Sequence, residues 1–169
     1  MAWICVGCGG SHDELPLSYR TGPPVLWTTL PPEIRERSVL DDELCVVRPL
    51  RGDDAHFIRA NLEIPVVDAD GAVFAWTVWC SLSRENFKAA LGAWDRPGRE
   101  GAAPMFGWFS SELSPYPSTL NLPTMIHTRP VGQRPTVELE PSTHPLAVEQ
   151  RNGITMRRVE EIAAAVLHH

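Results

Sequence analysis

The sequence predicts an α+β domain: a mostly antiparallel sheet with flanking helices. Two runs alternate at the period of a strand, residues 57–64 and 73–82, and a turn-forming Asp68-Ala69-Asp70-Gly71 joins them. Helical spacing governs other stretches, with Phe87, Ala90, Leu91 and Trp94 on one stripe and Met156, Val159, Ile162, Ala163, Val166 and Leu167 on another. No strand–helix–strand alternation and no Gly-rich strand-to-helix turn occurs, which excludes a nucleotide-binding fingerprint. A single domain over residues 1–169 is expected, with an irregular N-terminal segment over 1–45 and an α+β body over 46–169.

Each element has a local cause. Residues 1–31 read as irregular, a Cys/Gly/His knuckle followed by a stretch punctuated at Pro23-Pro24 and Pro31-Pro32. Pro32 suits the first turn of a short helix over Glu33 to Arg37, where Glu33 complements the positive end of the dipole. Residues 45–48 form a short apolar strand. In the next strand Ile58, Ala60, Leu62 and Ile64 share one face and Phe57, Arg59, Asn61 and Glu63 the other, so it is half-buried. Gly71 is free to take positive φ in the hairpin loop. Val73 to Leu82 carries apolar groups on both faces, which predicts a central strand.

Ser83 caps the following helix, and Glu85 sits in its first turn. Asp95 to Pro104 is a Gly/Pro loop, and Phe106-Gly107-Trp108-Phe109 reads as buried aromatic sequence. Short strands are expected at Thr124–Thr128 and Thr136–Glu140, and a short helix over Pro145 to Arg151, capped by Thr143 or His144 and ended by Gly153. Thr155 caps the last helix. His168 and His169 receive no role.

Composition narrows the function. Hydrophobic residues are 43% and charged residues 21% of the chain, and the six Trp argue for a folded core. The net charge of −6, with Lys88 the only lysine, disfavours nucleic acid and anionic membrane surfaces, because both bind through cationic side chains. No apolar run approaches the roughly eighteen residues of a membrane span. The N-terminus lacks a charged-then-apolar signal pattern, so a cytoplasmic location with reduced thiols is expected.

The four cysteines are therefore better read as ligands or buried thiols than as disulfides. Cys5-x-x-Cys8 with Gly7, Gly9 and Gly10 is the geometry of a metal knuckle: two thiolates three positions apart grip one ion if the chain turns tightly between them. His12 is four residues beyond Cys8 and within reach of the same ion. Mixed sulfur and nitrogen donors suit structural zinc in tetrahedral geometry. Cys45, at the start of a strand, is the best candidate for a fourth ligand, whereas Cys80 lies amid an apolar strand face and reads as a buried hydrophobe. Two alternatives stand beside this: unligated thiols near the terminus, and a redox dithiol, which Gly9-Gly10 and His12 fit poorly.

The opening Cys5-x-x-Cys8-Gly9 with His12 and Leu15-Pro16-Leu17-Ser18 resembles that of bacterial proteins grouped as DUF2199, a domain of unknown function. The likeness continues through Asp42 to Val46, Phe57-Ile58-Arg59, Leu62 to Pro65, Val78 to Ser83 and Phe106-Gly107-Trp108. It is densest in His127 to Gly132, Glu138 to Pro141 and His144 to Ile154. The resemblance implies a bacterial, cytosolic, single-domain protein. It also implies a cysteine at the place of Cys45 and more often another residue at that of Cys80. It carries over no catalytic residue.

Two polar groupings remain. His127, Arg129, Gln133, Arg134, Glu138, Glu140 and His144 lie among prolines and a glycine. His127, Arg129, Arg134 and His144 are the candidate binders of an anionic group, and Glu140 with His144 is a minimal base-and-orienter pair. The structural alternative pairs the arginines with Glu138 and Glu140 and leaves His144 as a helix cap. Arg59, Asn61 and Glu63 face Thr77, Trp79 and Ser81 if the two long strands pair, giving a polar surface over an aromatic floor. No serine lies in a Gly-x-Ser-x-Gly elbow. The expectation is a zinc-containing, non-catalytic binding or interaction module whose partner is a protein or a small anionic ligand. The alternative is a small hydrolase or ligand-binding enzyme built on the His127–His144 cluster.

Overall fold

The long hairpin organises the chain. In the computed structural model, which describes residues 2–169, β6 (Ala55–Pro65) and β7 (Val73–Leu82) pair antiparallel from His56↔Leu82 to Pro65↔Val73. Gly71 takes φ +66° in the connecting turn. The alternation reads out directly: Ile58, Ala60, Leu62 and Ile64 of β6 and Phe74, Trp76, Val78 and Cys80 of β7 are buried in the main core.

Ahead of the hairpin come β1 (Trp3–Ile4), β2 (Ser11–His12), β3 (Ser18–Arg20), α1 (Val25–Thr28), α2 (Pro32–Arg37), β4 (Val39–Leu40) and β5 (Leu44–Val47). After it come α3 (Arg84–Gly92), a 3-10 turn at Arg99–Gly101, β8 (Met105–Phe109), β9 (Pro123–His127), β10 (Thr136–Leu139), α4 (Pro145–Asn152) and α5 (Met156–Leu167). The expected caps form: the Ser83 and Thr155 hydroxyls accept from Asn86 and Arg158 N–H, and His144 accepts from Leu146 N–H. The first 31 residues are more ordered than expected, holding β1 to β3 and α1.

The fold class differs from the expected sheet with flanking helices. β7 pairs with β8, β8 with β9 and β9 with β10, all antiparallel; β10 then returns to pair parallel with β6 at Thr136↔Asn61. Because β6 already pairs with β7, these five strands form a closed barrel. β3 extends it on β7, and β5 and β4 extend it on β6. The long hairpin permits this, since each of its strands divides its outer edge. The first half of β7 pairs with β3 and the second with β8; the first half of β6 pairs with β5, and β10 joins at Asn61. Alternation in a sequence reports which side chains face inward and is identical for open and closed sheets, so closure left no local mark.

The barrel interior is filled by the hairpin together with Phe109, Ile126, Val137 and Leu139. Helices α3, α4 and α5 add Phe87, Leu146, Val159 and Ile162 to the same core. A second, smaller core lies on the outer side of the hairpin, where Phe57, Trp79, Cys45 and Val47 pack with Ile34 of α2 and the partly buried Trp27 and Leu30. The Phe106–Phe109 segment is also a correction: Phe109 is buried, but Phe106 and Trp108 point outward. Strand alternation overrode aromatic content. No helix among the described residues is long and apolar enough to cross a membrane.

Candidate metal centre

The knuckle is built by a short hairpin. β1 and β2 pair at Trp3↔His12 and Ile4↔Ser11, and the Cys5 N–H donates to Gly10 O at 2.9 Å. The Gly9 N–H closes the turn onto Cys5 O at 2.8 Å, with Gly9 at φ +69°, a conformation that favours glycine. The Gly10 N–H donates to Cys8 Sγ at 3.4 Å, an outer hydrogen bond that holds the sulfur in place. Cys5 is buried with Trp3 against Ala163 and Ala164 of α5, while Cys8 is exposed.

Docking on α5 brings in a residue to which the sequence assigned no role. His168 caps the C-terminus of α5, and its Nε2 lies 3.3 Å from Cys5 Sγ. Cys5, Cys8 and His168 offer three ligand atoms within 4.8 Å of one another, a group that can hold a metal ion. Zinc bound to one sulfur and one imidazole nitrogen holds the two donors roughly 3.5 Å apart, which the Cys5–His168 spacing matches. Gly7 makes the approach possible: a Cβ there would sit 2.7 Å from the His168 ring and 3.5 Å from Ala164.

Burial raises the Cys5 pKa, but hydrogen bonds from the Cys8 backbone, the His168 ring, the Gly7 backbone and the Cys8 thiol outweigh it and bring the group down to about 6. This lowering favours the thiolate, the form that binds metals.

The other expected ligands are placed as follows. His12 Nε2 lies 3.9 Å from Cys8 Sγ, and its ring stacks on Trp3 with centroids 5.2 Å apart. It is the next donor beside the group. Cys45, expected as the fourth ligand, is not brought to the knuckle. It sits on β5 in the outer core with Ile34, Phe57 and Trp79, where burial first and then Asp41 push its thiol up to about 12. A neutral buried thiol packs as a hydrophobe. Cys80 lies in the barrel interior, and burial raises it likewise to about 12. The property that suggested Cys45, a thiol at a strand start, is met equally well by packing. His168 had a weaker cue, an imidazole one position past an apolar helical stripe.

The His127–His144 residues are dispersed. His127 Nε2 lies 3.0 Å from Glu138 Oε2 across the β9–β10 pair. Arg129 donates to Gln133 Oε1 at 3.2 Å, and Arg134 makes a two-point pair with Glu43, which raises its pKa. His144 caps α4, with its Nε2 3.2 Å from the carbonyl oxygens of Pro117 and Ser118. His127 and Arg134 line separate depressions, and His144 lines neither. The buried cation that meets this segment is Arg99 of the 3-10 turn, whose guanidinium donates to the carbonyls of Trp94, Arg129, Pro130 and Gln133 and ties down the β9–β10 loop.

Residues 4–154 match the family described as "Uncharacterized protein conserved in bacteria (DUF2199)", a span that includes Cys5, Cys8 and His12 and stops before α5. No curated protein and no solved structure matches the chain.

Proposed function

The chain belongs to DUF2199, a family conserved in bacteria, and from that premise we propose that it is a zinc-stabilised, non-catalytic binding module. The observation that carries the zinc reading is the meeting of Cys5, Cys8 and His168 within 4.8 Å. His12, whose Nε2 lies 3.9 Å from Cys8 Sγ outside that three-residue group, is the nearest further donor, and its recruitment would give a Cys2His2 set of the kind that closes a structural zinc site. The purified protein is expected to hold about one zinc per chain by elemental analysis after chelator-free preparation. Well under half an equivalent would overturn the zinc reading. Cys45→Ser is expected to keep its zinc, since that thiol packs with Phe57 and Trp79. Gly7→Ala is expected to weaken zinc binding with little change in fold, because the added methyl meets the ring at the end of the His168 side chain rather than backbone.

Support for a binding role comes from the outer face of β8 and β9. Phe106 is 44% and Trp108 46% exposed, their rings meet edge to face at 5.0 Å, and Met125 sits opposite Phe106 on β9. Exposed aromatic ledges of this kind mark protein contact surfaces, and Trp is prominent among residues that dominate binding energy. A partner protein that the unaltered chain retains is expected to be lost with Trp108→Ala at unchanged thermal stability. Undiminished retention by Trp108→Ala and by Phe106→Ala would move the contact surface elsewhere.

A further inference from the structure

Arg59 is a buried cation without a counterpart. Its side chain stands on the outer face of β6, opposite Trp79 of β7, and its guanidinium carbon lies 4.5 Å over the Trp79 ring. The residue is 5% exposed, and its Nε and Nη1 have no hydrogen-bond partner among the described residues. A buried guanidinium normally spends its donors on carboxylates or carbonyls, as Arg99 does here.

The neighbouring acids are engaged elsewhere. Asp42 pairs with Arg20 at 2.8 Å, and Glu43 pairs with Arg134. Asp41 Oδ1 accepts from the N–H groups of Glu43 and Leu44. The Trp79 face contributes a modest cation–π attraction, which leaves the guanidinium donors without hydrogen-bond partners. Burial, followed by the positive Arg20 and Arg134, pushes the Arg59 pKa below its ordinary value; Glu43 and Asp42 offset part of this.

Arg59 also lines an open depression of about 600 Å³ between β3 and the β4–β5 turn, walled by Arg20, Thr21, Pro23, Leu40, Asp41 and Asp42. We propose that this depression is a binding site for a small organic monocarboxylate, with the carboxylate paired to the Arg59 guanidinium and the apolar body against Leu40 and Pro23. A planar carboxylate matches the fork of guanidinium donors. Around the depression Arg20 and Arg59 are balanced by Asp41 and Asp42, so no net positive charge favours a doubly charged phosphate or a polyanion over a single carboxylate. The Thr21 hydroxyl is already engaged with Thr77 O and Ser111 Oγ, so Arg59 is the principal anchor. The site is separate from the metal centre and does not depend on it.

The test is a titration of the full-length protein with sodium benzoate and, in parallel, with inorganic phosphate, read on the indole N–H of Trp79 by NMR. Benzoate is expected to shift that signal saturably with a dissociation constant on the order of 1 mM, a fragment-like affinity. Arg59→Met is expected to weaken it at least tenfold, and phosphate to produce less effect than benzoate. A second variant keeps Arg59 in place: Asp42→Asn removes a rim charge and is expected to tighten benzoate several-fold. The proposal is overturned by a non-saturating response, by equal affinity in Arg59→Met, by phosphate binding tighter than benzoate, or by Asp42→Asn leaving affinity unchanged or weaker.

Discussion

With zinc bound as proposed, removing it by chelation, or replacing Cys5 by Ser, is expected to lower the thermal midpoint by roughly 6–12 °C while the barrel stays folded. The ion would join the knuckle at Cys5 to the end of α5 at His168, positions 163 apart in the chain. A cross-link over so long a loop restricts the unfolded chain strongly; for a covalent bridge the loop-entropy estimate is about 4–5 kcal/mol. A metal bridge that exchanges with solvent delivers less, and ~3 kcal/mol corresponds to that shift in midpoint for a chain of this size. The effect is local in structure. Trp3, Cys5, Ala163 and Ala164 form their own cluster, whereas the barrel core is filled by the β6–β7 hairpin and its neighbours. Hydrogen exchange should therefore rise in residues 3–12 and in the last turn of α5 and stay low in β6 and β7. A midpoint unchanged by chelation, or protection lost throughout the barrel, would contradict this account of the centre.

A change of comparable size is expected at Gly107, which lies on β8 between Phe106 and Trp108. A Cβ at this position would overlap the Ser81 carbonyl oxygen of β7 and lie 2.7 Å from Ile126 Cδ1 on β9. The first contact is backbone and cannot turn aside. Gly107→Ala must push β8 away from β7, where Leu82↔Gly107 is one of only three pairs holding those strands together. Overpacking of a well-filled core costs about 1–3 kcal/mol and occasionally more, and the backbone clash places this substitution at the upper end. Gly92→Ala provides the contrast, since nothing lies within 4 Å of a Cβ at that last position of α3. It is expected to be neutral or to stabilise by up to about 1 kcal/mol. Chemical denaturation of the two variants should separate them clearly, and equal midpoints would show that β8 relaxes freely.

How far the sequence was legible depends on the range of the interaction that decides each feature. The β6–β7 hairpin, the Ser83 and Thr155 caps and the stripe of α5 as far as Val166 follow from residues within a few positions of one another and form where expected, whereas Leu167, expected on that stripe, is exposed. The pairing of Arg59 with Trp79 and Asn61 with Thr77 forms as the sequence allowed, but the face expected to be a polar surface is buried at Arg59 and Trp79, with Trp79 in the second core. Barrel closure was not legible, since Asn61 and Thr136 meet through the parallel return of β10, which has no local signature. In the Cys5–Cys8–His168 group, the two cysteines and the turn glycines announced themselves by spacing. His168 enters only because α5 packs on Trp3 and Cys5, a contact between opposite ends of the chain. Arg134 illustrates the same limit: nearby Glu138 and Glu140 were the plausible partners, but the fold offers it Glu43.

The parallel pairing of β10 with β6 also imposes an order in time. The β6–β7 hairpin needs nothing beyond Leu82 and can form within about 1–10 μs once those residues are free. The parts of its outer edges not taken by the earlier β3 and β5 then wait for β8, β9 and finally β10, which ends at Leu139. At ribosomal rates of about 5–20 residues per second, the interval between making Leu82 and Leu139 is roughly 3–11 s. Throughout it, Ile58, Leu62, Phe74 and Val78 have no far wall to pack against. The nascent chain is thus an open, apolar ribbon for a million times longer than its own hairpin takes to form, and that window is where aggregation competes with folding.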